Sequence, residues 1–168
     1  LALTMAQGAR AALKAGKFGL AARMFTEALA LDPTQYDYLY GIGRAEELSG
    51  NSKAAQQQYR RLLKVAANHP AATRARGYLA DLLVSDAGHA LELRNGGLAR
   101  ELLDEALRLR PDDVDAMWML ARALHLQGHN DRAIRAYRGF LTSHARHVEA
   151  PQVKSYLAEL LARSGTEL

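Results

Sequence analysis

The residues of this 168-residue chain that could do chemistry are six histidines, a cluster of aspartates and a stripe of arginines. His125 and His129 stand four apart, but Gly128 lies between them and interrupts a helix. His144 and His147 stand three apart near an expected helix end. Neither pair has a cysteine or a third ligand close in sequence, and no His-Glu-x-x-His occurs, so no metal site is expected. Asp112, Asp113 and Asp115 follow Pro111, where carboxylates cap a helix and favour its positive end; the spacing does not suit a calcium loop. Arg132, Arg135 and Arg138 share one face of a helix and read as a solvated stripe, with a phosphate backbone as the alternative ligand. Gly41-Ile42-Gly43 is too short for a dinucleotide loop and falls inside a helical pattern. Nucleophile-elbow and phosphate-loop motifs are absent, so neither an enzyme nor a cofactor is expected.

Composition points to helices. Apolar residues make up 49% of the chain and charged residues 24%, enough for a core and a wet surface. Alanine and leucine, both strong helix formers, dominate the apolar fraction, and there are only four prolines. We expect an all-α protein. The net charge of +4 is carried mostly by arginine and interleaved with acids, which permits anionic partners without implying nucleic acid. Cysteine is absent, which excludes disulfides and thiol chemistry. No apolar run approaches the length of a membrane span. The chain opens Leu1-Ala2-Leu3 and is read as a fragment or processed form, which leaves its compartment open.

Segments recur at an offset of 34 residues. Ala21, Phe25 and Ala28 return in kind as Ala55, Tyr59 and Leu62; Ala99, Leu103 and Ala106 return as Ala133, Tyr137 and Phe140. Such a period marks stacked helix pairs. Units are expected at about 2–35, 36–69, 70–113 and 114–147, with a last capping helix at 150–163, as one domain. Gly16-Lys17, Ser49-Gly50-Asn51, Asn95-Gly96-Gly97 and Gln127-Gly128-His129 are the expected turns inside units, since glycine accepts left-handed backbone at helix ends. Asp32-Pro33 and Arg110-Pro111 end second helices. The third unit carries ten extra residues between Gly77 and Ala99, placed within 84–95, so its first helix is expected to lengthen towards Leu93 or to kink.

These patterns resemble the tetratricopeptide repeat family, in its bacterial type. The second-helix signature of that family, small–aromatic–small–proline, stands here as Ala21/Phe25/Ala28/Pro33; Ala99/Leu103/Ala106/Pro111 lacks the aromatic, and Ala133/Tyr137/Phe140 lacks the second small residue and the proline. The small residue of the first helix is Ala9, Gly43, Gly77 and Ala121, and close helix approach is the expected reason for it. Leu39 and Met117 hold the usual tryptophan position, and Trp118 comes one residue later. The resemblance implies a right-handed α-solenoid of about four helix pairs plus a C-terminal cap. It implies that Phe25, Tyr59, Tyr137 and Phe140 are core.

It also implies a concave groove lined by first helices. The expected partner-binding residues are Arg10, Tyr40, Arg44, Arg74, Tyr78, Trp118, Arg122 and His125. Arginine grips carboxylates through two donors and stacks on rings, and tyrosine and tryptophan give rigid contact area. The expected occupant is a protein or peptide segment with acidic and apolar groups. The competing reading is a solvated face whose arginines pair with Glu47 and Asp81. The family's terminal-carboxylate grip uses lysine and asparagine, which this chain lacks at the matching positions. The expected function is a non-catalytic scaffold or adaptor in a bacterial secretion, pilus or exopolysaccharide-export assembly at the cell envelope. The alternatives are a cytoplasmic chaperone for secreted substrates, a self-assembling scaffold, and a nucleic-acid binder. The extra residues of the third unit are either a second docking element or a neutral insertion.

Overall fold

The structure is a computed structural model that describes residues 1–165. All regular structure among these residues is helical: α1 (Ala2–Lys14), α2 (Phe18–Leu31), α3 (Tyr36–Leu48), α4 (Ser52–Val65), α5 (Pro70–Glu92), α6 (Gly96–Leu109), α7 (Val114–Leu126), α8 (Asn130–Ser143) and α9 (Ala150–Ser164). None of these helices is long and apolar enough to cross a membrane. Packing divides the chain into two compact units. Unit 1 is Leu1–Leu82 and unit 2 begins at Leu83.

In unit 1, α1 packs on α2, α2 on α3 and α3 on α4, and α1 also touches α3. The apolar spacing explains this order. Ala6, Ala9, Ala21, Phe25, Ala28, Leu39, Ala45, Ala55, Tyr59 and Leu62 recur at helical intervals and are all buried. Unit 2 repeats the order with α6 on α7, α7 on α8 and α8 on α9. Its core joins Ala121, Leu124, Ala133, Tyr137 and Phe140 to Val153, Leu157 and Leu160 of α9. Gln152, Lys154, Glu159 and Arg163 lie on the exposed side of α9, as its polar content predicts.

Four turns close the helix pairs in the same way. Lys17, Asn51, Asn95 and His129 each donate their backbone N–H to the carbonyl five residues back. The residue before each has positive φ: Gly16 at 71°, Gly50 at 85°, Arg94 at 55° and Gly128 at 77°. This is the Schellman arrangement, in which the left-handed residue turns two amides back onto free carbonyls. The third turn corrects the expectation from Asn95-Gly96-Gly97. The chain turns at Arg94, Asn95 caps α6 by accepting from Leu98 N at 3.1 Å, and both glycines lie in the first turn of α6. Gly96 is required there for a packing reason: a Cβ would stand 2.8 Å from the Ala123 carbonyl oxygen and 2.9 Å from Leu126 Cβ. The ten extra residues lengthen α5, which runs unbroken to Glu92. Asp113 caps α7, its carboxylate accepting from Ala116 N at 2.9 Å.

The small first-helix residues do not share one purpose. A Cβ at Gly43 would stand 2.5 Å from Tyr59 Cε1, so close approach holds there. At Gly77 a Cβ would meet nothing within 4 Å, which corrects the expectation for that position. Gly43→Ala is therefore expected to destabilise by about 1–2 kcal/mol, because displacing a packed ring outweighs the helix-propensity gain. Gly77→Ala is expected to stabilise by about 0.5–1 kcal/mol, since only propensity acts. Thermal unfolding of the two variants checks this; shifts of the same sign would contradict it.

Candidate protein-interaction face

In unit 1, four of the expected residues line one open cleft of about 520 Å³: Arg10 from α1, Tyr40 and Arg44 from α3, and Arg74 from α5. Asp37 and His69 line it as well. Helical spacing brings Tyr40 and Arg44 to the same face, one turn apart. Tyr78 does not line the cleft but supports it. The Arg44 guanidinium lies 4.1 Å from the Tyr78 ring centroid, and the Tyr40 and Tyr78 centroids are 6.1 Å apart. Arg74 stacks on Tyr40 at 4.6 Å. Burial pushes the Tyr40 hydroxyl above its ordinary pKa, helped by Tyr78.

The arginines of this cleft are partly neutralised from within. Arg44 Nη1 sits 2.7 Å from Glu47 Oε2, so the local pairing expected under the competing reading is present there. Arg74 pairs with Asp37, at 3.0 Å. Burial opposes the charge of Arg44, but the Glu47 carboxylate more than offsets it, and its pKa is raised. Tyr59 is core, as expected, but its hydroxyl also donates to Glu47 Oε2 at 2.7 Å. Burial and that bond push its pKa well above the ordinary tyrosine value. Among the described residues, Arg10 is exposed and makes no ion pair.

In unit 2, Trp118 and Arg122 line a cleft of about 250 Å³ together with Leu91, Met119 and Tyr156. The Arg122 guanidinium lies 4.0 Å above the Tyr156 ring, and Tyr156 stacks on Tyr137 at 6.2 Å. His125 does not line the cleft; its Nδ1 lies 3.3 Å from Arg122 Nη1, and its ring meets Tyr137 edge-on. Burial, then the Arg122 charge, lowers the His125 pKa below its ordinary value. Trp118 Nε1 donates to Asp115 at 3.3 Å, and the ring also packs against the unit 2 core.

The structure thus gathers Arg10, Tyr40, Arg44, Arg74 and Tyr78 within unit 1, and Trp118, Arg122 and His125 within unit 2. Sequence reasoning missed Asp37 and Tyr156. The signal for Tyr156 was its place in α9, which matches that of Tyr78 in α5; reading α9 only as a cap hid it. Asp37 sits one turn before Tyr40, and nothing in the sequence pairs it with Arg74. Arg132, Arg135 and Arg138 are exposed on α8, as a solvated stripe would be.

Known proteins share the repeat pattern and the fold. The family model described as Tetratricopeptide repeat matches residues 7–64 and 87–145. Human Tetratricopeptide repeat protein 7A is 32% identical over 111 residues, covering 66% of this chain and 12% of that protein. This chain therefore spans a small part of that relative's length. Among solved structures, MamA from Desulfovibrio magneticus RS-1 superposes with a TM-score of 0.57 at 18% identity, over 98% of this chain and 85% of that one. YrrB, described as a TPR protein with an unusual peptide-binding site, superposes with a TM-score of 0.58 at 17% identity, over 99% of this chain and 79% of that one. At such identities the likeness is one of fold. The helix pairs, their buried signature residues and the family match agree: the chain belongs to the tetratricopeptide repeat family, whose members are generally interaction scaffolds.

Proposed function

We propose that this chain is a non-catalytic protein–protein interaction scaffold that holds a partner segment against its first helices, and that the segment carries apolar and acidic side chains. The observation that carries this reading is the unit 1 cleft, where Arg44 lies over the Tyr78 ring and Arg74 over the Tyr40 ring, with Arg10 lining the same cleft. Aromatic and arginine side chains held rigidly in a cleft are the groups that dominate interface energies. The peptide-binding site ascribed to YrrB supports a binding role for this architecture. The setting we assign is the bacterial cell envelope, in a secretion, pilus or exopolysaccharide-export assembly. The alanine- and arginine-rich composition supports the bacterial part of that assignment.

The test is fluorescence anisotropy with a panel of short labelled peptides that alternate apolar and acidic residues. At least one is expected to bind the native chain, and Tyr40→Ala/Arg74→Ala is expected to weaken it at least about tenfold, or about 1.4 kcal/mol. A panel in which nothing binds, or binding indifferent to the double variant, overturns the reading.

A further inference from the structure

Units 1 and 2 build the same four-residue arrangement, with one exchange. In unit 1 the guanidinium of Arg44 covers Tyr78, and Tyr78 stacks on Tyr59 at 6.2 Å and 22°. In unit 2 Arg122 covers Tyr156, and Tyr156 stacks on Tyr137 at 6.2 Å and 29°. In unit 1 the fourth member is Glu47, three residues after the arginine. Its Oε2 accepts from both Arg44 Nη1 and the Tyr59 hydroxyl, each at 2.7 Å. In unit 2 the residue three after the arginine is His125.

That exchange leaves two donors without their acid. Arg122 contacts no carboxylate among the described residues, although Glu92 also lines the cleft. Tyr137 is 0% exposed, and its hydroxyl finds no acceptor: Arg122, the polar group acting on it, is itself only a donor. A buried hydroxyl proton without an acceptor is costly, and native structures rarely keep one. His125, an imidazole, brings no negative charge to Arg122. The charged groups acting on its ring are Arg122, Arg163, Arg94 and Glu159, three of them cationic. Glu159 is paired with Arg163 at 3.1 Å. With Arg163 and Glu159 neutralising each other, Arg122 and Arg94 outnumber the Glu92 carboxylate of the cleft, and Arg122 is the cleft's cation that an incoming anion meets. Unit 1 shows which anion the arginine and tyrosine fit, because a glutamate side chain already joins them there.

We propose that unit 2 takes a glutamate side chain of the partner segment at Arg122, in the role Glu47 plays within unit 1. The Tyr137 hydroxyl becomes its second donor as the His125 ring moves aside, and Trp118 and Met119 pack the apolar residues beside it. This rests on the scaffold reading above and adds the chemistry of one contact.

Trp118 is the only tryptophan of the chain and lines this cleft, so its emission reports on unit 2. The probe is a peptide alternating leucine and glutamate, acetylated and amidated so that it has no terminal carboxylate. Its control carries glutamine for glutamate. The glutamate peptide is expected to shift Trp118 emission and to bind at least about tenfold more tightly than the control, in the range of a charged hydrogen-bonded pair. The preference is read from the Trp118 emission, which follows unit 2 and not the unit 1 cleft, and Arg122→Gln is expected to erase it there. His125→Glu supplies the acid from within: this variant is expected to melt at a higher temperature than the native chain and yet lose the preference, which separates occupied donors from a failed fold. Equal affinity of the native chain for the two peptides, or a full preference retained by His125→Glu, overturns the carboxylate contact and leaves the scaffold reading standing. Binding of neither peptide overturns both.

Discussion

Replacing Tyr59 by alanine is expected to cost unit 1 about 3–5 kcal/mol, the range for removing a fully buried aromatic ring. The ring is 0% exposed and packs against Gly43, Tyr40 and Tyr78, none of which is free to refill its volume. Gly43 has no side chain, and Tyr78 is held beneath Arg44. Tyr59→Phe isolates the hydroxyl. It keeps the ring and loses the bond to Glu47, a neutral donor to a charged acceptor, at a cost of about 1.5–3 kcal/mol. Glu47 keeps Arg44, so the lower end of that range is expected. Tyr137→Phe removes a hydroxyl whose proton has no acceptor and should be close to neutral. Amide exchange of α3 and α4 for the Tyr59 variants, and of α7 and α8 for Tyr137→Phe, reads each unit separately. Equal losses from the two phenylalanine variants would contradict the difference drawn between Glu47 and His125.

That contrast shows how far the sequence was legible. The 34-residue offset and the alanine–aromatic spacing located the helix pairs because burial obeys helical periodicity, which is a local property. The turns were legible at Gly16, Gly50 and Gly128 because positive φ selects glycine. At the third turn the signal misled. Arg94 takes the left-handed conformation without being glycine, while Gly96 is small because α7 presses against it. A glycine kept for φ and one kept for volume look alike in sequence, and Gly43 and Gly77 differ in the same hidden way. The candidate face divides similarly. Spacing alone puts Tyr40 and Arg44 on one face, but the pairing of Arg74 with Asp37 depends on how α3 and α5 approach. The orphaned Tyr137 hydroxyl becomes visible only when Glu47 and His125 are compared in their surroundings.

Leu103 carries the last of these lessons as an expected result. It stands where Phe25, Tyr59 and Tyr137 stand in the other helix pairs, so pattern alone would favour restoring an aromatic there. Its surroundings argue the reverse. Leu103 is 0% exposed and packs in one cluster with Ala87, Ala90, Ala99, Ala116 and Ala123, with Val84, Leu102, Leu107, Met119 and Leu120 around them. Alanines bring their helices close, and the approach at Gly96 is closer still. The space left suits four side-chain carbons. Leu103→Tyr adds a ring and a hydroxyl to a close-packed region and is expected to destabilise unit 2 by about 1–3 kcal/mol or more. Leu103→Ala leaves a cavity that a shell of alanines cannot collapse to fill, at about 2–5 kcal/mol, with the upper half expected for that reason. Leu103→Met conserves volume and should cost under about 1.5 kcal/mol. Denaturant midpoints at unchanged slope rank the three. A tyrosine variant as stable as the native chain would mean that the repeat pattern, and not the local volume, decides what this position accepts.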